Sequence, residues 1–119
     1  MDFDKIHDLL ALRMITDDVE NCYKVLGIIH KHFKPISGEI NDYIANPKAN
    51  GYRSLHTSVF SDDKKIIEIQ IRTAEMHKEA EYGVCAHWSY KEKIDLKKEG
   101  KNFDWLKTTP DFWKTFKID

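Results

Sequence analysis

The chain is poor in the residues and segments that mark secreted and membrane proteins. Its 119 residues include only two cysteines, Cys22 and Cys85, which form no CxxC pair. Two cysteines this far apart do not make a disulfide framework, which favours a reducing cytoplasm. The N-terminus does not resemble a signal peptide, and no apolar run approaches the roughly 20 residues that cross a bilayer. We therefore expect a soluble, cytoplasmic protein.

An excess of charge of either sign is also missing. Nineteen basic and twenty acidic side chains give a net charge of −1. A chain without a global positive charge has no long-range attraction for nucleic acid or anionic membranes, so we expect it to bind neither directly. The length and the 41% hydrophobic content predict one globular domain with a modest core. Any affinity for phosphate must then be local.

The first half of the chain predicts a strand, a helix and a long loop. Residues 6–15 are a dense apolar run of strand length that contains Asp8 and Arg13. Residues 19–33 carry apolar side chains at helical spacing, with Asp17 or Asp18 as the expected N-cap. Pro35 ends this helix, so residues 34–53 should be mostly loop around a short strand at 40–44.

The second half predicts a hairpin, a helix and a tail. Two β-rich runs, 54–60 and 66–73, flank a polar turn and should form an antiparallel hairpin. Alternation in the second run places Glu68, Gln70 and Arg72 on the face opposite its isoleucines. Thr73 then caps a helix at about 74–93, and residues 94–119 indicate a linker with a short helix that leads to a following domain.

Two acidic side chains lie in predicted strands, where packing alone does not explain them. If the strands of Asp8 and Glu68 are close, their carboxylates converge into a hard oxygen site suited to Mg²⁺ and to phosphoryl transfer. The alternative for each carboxylate is a structural salt bridge to Arg13 or Arg72.

The loop at 42–56 collects side chains that suit a nucleotide. Lys48 can neutralise phosphate, Asn50 and His56 can form hydrogen bonds, and Tyr52 can stack on a base. The alternative is structural, because Asn-Gly and Pro are ordinary turn residues and Tyr52 can fill a core.

Three blocks of the sequence stand out, namely DYIANPKANGYRSLHT, IEIQIRT and MHKEAEYGVCAHWSYKE, and the run DLLALRMI precedes them. Together they resemble the synthetase domain of the long Rel/SpoT proteins, the (p)ppGpp synthetases or GTP pyrophosphokinases, with DLLALRMI resembling the first strand of the family. The resemblance implies an α+β fold like the nucleotidyltransferases of the polymerase β type, with a mixed, largely antiparallel sheet flanked by helices. It assigns residues 1–93 to the synthetase domain and 94–119 to a linker.

The resemblance also implies a reaction, the transfer of pyrophosphate from ATP to the 3′-hydroxyl of GDP or GTP in the stringent response. Asp8 would bind Mg²⁺, and Glu68 would bind Mg²⁺ or act as general base. Tyr52 would stack on guanine beside Tyr43, while the phosphates or the carboxylates would be oriented by three polar residues. The residues implied to hold the acceptor nucleotide are Lys48, Asn50 and His56. Those implied to orient the phosphates or the carboxylates are Arg13, Gln70 and Arg72.

The sequence departs from the family pattern in two places. Glu39-Ile40-Asn41-Asp42 stands where the family has a basic or an acidic motif, so the choice between GDP and GTP stays open. The basic helices that contact ATP in the family precede its first strand, and only seven residues precede Asp8 here. We expect a truncated domain that binds guanine nucleotide, makes little product alone, and works with other domains of a long protein. The alternative is a non-catalytic nucleotide-binding or regulatory domain.

Overall fold

The computed structural model describes residues 9–61, 65–82 and 113–118, which form a five-stranded sheet with two helices. The strand order is β2-β3-β4-β1-β5. Strand β3 is antiparallel to β2 and β4, whereas β1 is parallel to β4 and β5. The predicted α+β class with a mixed sheet is confirmed, with as many parallel as antiparallel pairings among the described strands. The elements are β1 (Leu9–Thr16), α1 (Val19–His32), β2 (Lys34–Asp42), β3 (Leu55–Phe60), β4 (Ile66–Thr73), α2 (Ala74–Tyr82) and β5 (Lys114–Lys117).

Helix α1 covers one face of the sheet, which we call the core face. The helix begins where predicted, because the Asp18 carboxylate accepts a hydrogen bond from the Asn21 N–H at 2.8 Å and caps the first turn. Its Cys22 and Ile29, two helical turns apart, are buried against the hairpin strands. Burial of each large aliphatic side chain contributes roughly 1.5–3 kcal/mol to folding. The cluster is Cys22, Ile29, Leu55, Val59, Ile69 and Ile71.

The opposite face, which we call the polar face, carries most of the predicted site. Residues paired across neighbouring strands point to the same side of a sheet. Gln70 of β4 is paired with both Arg13 of β1 and His56 of β3. Glu68 and Arg72 lie on the same face as Gln70 because they are two residues away along β4. The alternation predicted for this strand therefore separates a hydrophobic face from a chemical one.

The stretch predicted to be mostly loop instead contains the nine-residue edge strand β2. A proline lacks the N–H that a central strand needs, but an edge strand leaves that side unpaired, so Pro35 is tolerated. The pairing with β3 shifts register between Pro35 and Ile40. Gly38 lies in this interval with φ of 81°, a left-handed conformation that glycine adopts without strain. Proline and glycine thus mark an irregular edge strand here, and the irregular loop begins only at residue 43.

Helix α2 begins as predicted, since Thr73 Oγ1 accepts a hydrogen bond from Met76 N at 3.2 Å. It is described to Tyr82, and the predicted continuation to residue 93 lies outside the described residues. The tail was predicted as linker and short helix, but its described part forms β5 beside β1. All four residues of β5 are exposed. A strand without a buried face needs no alternation of apolar and polar residues, so its sequence carries no strand signal. Neither described helix has the length and apolar character needed to span a bilayer.

Candidate functional site

Three rings and one ammonium group come together where the loop 43–54 meets β3. The rings of Tyr43 and Tyr52 are both edge-to-face with His56, at centroid distances of 5.3 and 5.6 Å. The Lys48 Nζ lies 5.0 Å from the Tyr43 centroid and 5.6 Å from that of Tyr52. Four of the five residues predicted to hold the acceptor nucleotide therefore form one cluster of π-faces with a cation.

Loop 43–54 is held in place by hydrogen bonds between its backbone N–H groups and a side chain. Asp42 Oδ1 accepts from Ile44 N and Ala45 N at 3.0 and 2.9 Å, and its Oδ2 accepts from the Tyr23 hydroxyl at 2.7 Å. Burial opposes ionisation of Asp42, but the hydrogen bonds, that from Ala45 N first, lower its pKa below the usual value. The hydrogen bond from the Tyr23 hydroxyl to Asp42 raises the pKa of Tyr23 to about 12. Asp42 thus ties the loop to helix α1.

The fifth predicted acceptor residue, Asn50, shapes the turn before Tyr52. Its Oδ1 accepts a hydrogen bond from Tyr52 N at 2.9 Å. Gly51, with φ of 87°, donates its N–H to Lys48 O at 2.8 Å. Asn and Gly suit such a turn because one side chain bonds the backbone two residues on and the other tolerates positive φ. A direct contact from Asn50 to a nucleotide stays a prediction.

Tyr52 and His56 are also joined by a hydrogen bond of 2.8 Å between Oη and Nε2. Arg72 Nη1 donates to the same Tyr52 oxygen at 3.3 Å. Burial, reinforced by the positive charges of Lys48 and Arg72, lowers the pKa of His56 to about 3. Burial also raises the pKa of Tyr52. Both side chains are therefore uncharged at neutral pH.

The three predicted orienting residues form a second group on the polar face. Arg13 Nε donates to Gln70 Oε1 at 3.1 Å, and both side chains are buried. Burial, together with the positive charge of Arg72, lowers the pKa of Arg13. The tail contacts this group as well, because Thr115 Oγ1 accepts from Arg13 Nη1 at 3.4 Å and the Trp113 ring lies 5.7 Å from the guanidinium carbon.

A pocket of about 160 Å³ opens on the polar face, and Glu68 lines it. Strand β4, which carries Glu68, is the neighbour of β1, and a metal site shared with Asp8 stays a prediction. Asp8 itself lies outside the described residues. The described residues contain no group of three or more His, Cys, Asp or Glu that would hold a metal. The side chains around the pocket include Glu39, Asn41, His56, Ser58, Glu68 and Trp113.

Sequence reasoning missed the contribution of helix α2 to this face. Glu81 Oε1 lies 3.7 Å from Arg13 Nη1 and 3.3 Å from Arg72 Nη2. Arg53 Nη2 contacts both carboxylate oxygens of Glu79 at 3.1 and 3.0 Å. The signal available in the sequence was the pair of arginines in predicted buried strands, because buried guanidinium groups require a carboxylate partner. The acidic helix that follows β4 directly supplies it.

The sequence and fold match one protein family throughout most of the chain. Residues 1–95 match the family model described as a region found in RelA / SpoT proteins. The chain therefore belongs to the RelA/SpoT family, and the resemblance seen in the sequence motifs is confirmed.

The similar proteins are much longer than this chain. A guanosine-3′,5′-bis(diphosphate) 3′-pyrophosphohydrolase of Spiroplasma citri is 54% identical over 86% of this chain and 14% of its own length. A GTP pyrophosphokinase of Myxococcus xanthus is 43% identical over the whole chain and 17% of its own length. The chain thus spans about one sixth of these curated relatives.

A solved structure supports the fold. The small alarmone synthetase 1 of Bacillus subtilis, bound to its product pppGpp, aligns with 80% of this chain and 55% of its own chain. The TM-score is 0.55 at 27% sequence identity. A GTP pyrophosphokinase family protein of Streptococcus pneumoniae aligns with 66% of this chain and 45% of its own at a TM-score of 0.52 and 32% identity. The mixed sheet with its helices is therefore the fold of alarmone synthetases.

Proposed function

We propose that this chain is the acceptor-binding part of a (p)ppGpp synthetase, which transfers pyrophosphate from ATP to the 3′-hydroxyl of GDP or GTP. The observation that carries the proposal is the cluster of Tyr43, Lys48, Tyr52 and His56 beside a pocket lined by Glu68, in a chain of the RelA/SpoT family. We expect it to work in the cytoplasm as one domain of a longer protein, in the stringent response.

The acceptor nucleotide would be recognised by its two chemically different ends. Tyr52 offers a π-face for the guanine base, a contact typically worth about 1–3 kcal/mol. Lys48 lies over the same ring and carries the positive charge that suits the phosphates. His56, uncharged at neutral pH, can hydrogen-bond without repelling Lys48, and Asn50 keeps Tyr52 in its turn.

Glu68 is the residue proposed to receive the proton of the 3′-hydroxyl. The 3′-oxygen forms a new bond to the β-phosphorus of ATP, the bond from that phosphorus to the α,β-bridging oxygen breaks, and AMP leaves with the electron pair. Arg13 and Gln70, which are hydrogen-bonded side by side, would keep the neighbouring side chains oriented. No covalent bond to the protein is needed.

The oxygen donors at the pocket are of the kind that binds Mg²⁺. Glu68, Glu39 and Asn41 all line it, and Mg²⁺ is usually held by one or two carboxylates together with substrate phosphates. Glu68 would hold the ion with Asp8, as the family resemblance implies. When bound, Mg²⁺ neutralises charge that develops on the phosphate oxygens.

One observation favours the alternative function, a domain that binds nucleotide without turning it over. Arg13 and Arg72 are buried and bonded to Gln70, Tyr52 and Glu81, so most of their donors are already engaged within the protein and few are left for a triphosphate. Loss of donor positioning removes many powers of ten from a rate even when the reacting groups survive. We therefore expect acceptor binding to survive in this chain and turnover to be low.

Two measurements test the proposal. Calorimetric titration of the chain with GDP, GTP and a non-hydrolysable ATP analogue, each with Mg²⁺, should detect the guanine nucleotides. Incubation with radiolabelled ATP and GDP should yield little or no ppGpp. Absence of guanine nucleotide binding would contradict the proposed function, whereas robust ppGpp synthesis would contradict the expected weakness of the donor side.

A further inference from the structure

Arg72 is a charged side chain enclosed by the protein. It is 2% exposed, the most buried of the polar-face arginines. Its Nε is a buried atom without a hydrogen-bond partner among the described residues. A buried donor without a partner destabilises the folded protein. A residue kept in place at that cost calls for a role that an apolar side chain could not fill.

The other donors of Arg72 form hydrogen bonds with two parts of the protein, helix α2 and Tyr52. Nη2 donates to His77 Nδ1 at 2.8 Å and to Glu81 Oε1 at 3.3 Å, both on α2. Nη1 donates to the Tyr52 hydroxyl at 3.3 Å, and the guanidinium carbon lies 5.9 Å from the Tyr52 ring centroid. Arginine suits this role because its planar fork directs several donors at fixed angles.

From Tyr52 the same chain of hydrogen bonds continues to His56. Arginine has donors only, so the Tyr52 oxygen accepts from Arg72 and its hydrogen is free to point at His56 Nε2. In this arrangement a neutral His56 would accept at Nε2 and carry its own proton on Nδ1. The sequence of contacts is therefore continuous from α2 through Arg72 and Tyr52 to His56.

We infer that Arg72 is a positioning residue through which helix α2 sets the orientation of Tyr52 and the tautomer of His56. Both residues belong to the cluster proposed to bind guanine. This inference rests on the proposed function for its guanine ligand. Arg72 acts through Tyr52 and does not contact phosphate, because its charge is enclosed and already shared with α2. Changes in α2 therefore alter guanine affinity without touching the nucleotide.

Together with His77, Glu81 is the part of α2 that keeps Arg72 in this position. Its carboxylate lies between the two polar-face arginines, 3.7 Å from Arg13 and 3.3 Å from Arg72. Without that negative charge the two guanidinium groups repel each other in a site with little water. Arg72 then no longer donates to the Tyr52 hydroxyl, and the Tyr52 ring can rotate away from the guanine base.

The experiment compares Arg72→Lys and Glu81→Gln with Glu79→Gln in the full chain. Glu79 is the matched control, since it also belongs to α2 and also pairs with an arginine, Arg53, but lies outside the chain of contacts to Tyr52. In GDP titrations we expect Arg72→Lys and Glu81→Gln to weaken affinity about tenfold, the usual effect of one charged hydrogen bond. Glu79→Gln should change it less than about threefold, as expected for a partly exposed pair.

A second readout follows the His56 ring by ¹⁵N NMR, which a merely structural role for Arg72 would leave unchanged. The unsubstituted chain should show the neutral tautomer with the proton on Nδ1, and the two network variants should shift toward protonated Nε2. Unchanged affinity and an unchanged His56 spectrum in folded Glu81→Gln would overturn the inference, even if Arg72→Lys fails to fold. If the unsubstituted chain binds no GDP, the proposed function fails, and the His56 spectrum alone decides on the positioning network.

Discussion

The two faces of the sheet are built from alternating residues of the same strands, yet one holds the hydrophobic core and the other holds the candidate site. On the core face, Leu55, Val59 and Ile71 are buried against each other and against α1. On the polar face, Arg72 is almost as buried as Ile71, but it is surrounded by hydrogen-bonding partners. Burial of an apolar side chain stabilises the fold, whereas burial of a charge yields little net stability and is retained for geometry.

This difference separates stability from chemistry along a single strand. Neighbouring residues of β4 alternate between the two faces, so a substitution at one position should damage folding and the next should damage function. If the two faces were not distinct, substitutions at Glu68 and at Ile71 would have the same kind of effect.

The largest effect is expected from the polar face, on activity. In a complete synthetase, Glu68→Gln should lower pyrophosphate transfer by roughly 10²–10⁴-fold, the contribution of a general base. Asp8→Asn should abolish transfer in the same assay. Stability should be preserved or slightly raised in both, because the proposed metal site would bring two like charges together and these repel each other. A large fall of the melting temperature in both variants would instead support structural salt bridges to the arginines.

The next effect is expected from the core face, on stability. Ile71 is fully buried, and Ile71→Ala should lower the free energy of unfolding by about 2–5 kcal/mol through lost transfer energy and a cavity. Urea denaturation measures this change. Ile40→Ala makes the same chemical change at an exposed position of β2 and should stay within about 0.5 kcal/mol. Equal losses in the two variants would mean that the core does not centre on β4.

A more gradual effect on stability is expected from pH. The pKa of His56 is lowered from 6.5 to about 3, so the unfolded chain binds a proton that the folded chain excludes between these values. The free energy of unfolding should therefore fall as the pH is lowered from about 6.5 toward 3, by up to about 1.4 kcal/mol per pH unit. His77, whose pKa is also lowered, acts in the same direction. Urea denaturation at several pH values should show this slope, and His56→Gln should flatten it.

Much of the fold was predictable because its signals were local. The cap at Asp18, the apolar spacing of α1 and the alternation of β4 each depend on a few neighbouring residues. Strand β2 was predicted only as a short strand at 40–44, and its first half was missed because Pro35 and Gly38 act as breakers in the interior of a sheet but not at its edge. Strand β5 was missed because its stability depends on pairing with β1, about one hundred residues earlier.

The candidate site was predictable in its members but not in its connections. Family motifs pointed to Tyr43, Lys48, Tyr52 and His56, and the fold brings these side chains together. No motif indicated that Arg72 would be enclosed by α2, because that contact depends on the direction in which the helix leaves β4. Charge counting does indicate it in retrospect, since Arg13 and Arg72 on one buried face require Glu81.

Our main inference is that the polar face recognises guanine nucleotide while the core face supplies most of the stability of the fold. It is tested most directly by titrating Tyr52→Ala with GDP by calorimetry and melting the same sample, beside Tyr82→Ala, which removes an exposed tyrosine. We expect Tyr52→Ala to bind GDP more weakly by about 1–3 kcal/mol with a fold that stays intact, and Tyr82→Ala to match the unsubstituted chain. An unchanged GDP affinity in Tyr52→Ala, with an unchanged melting temperature, would contradict it.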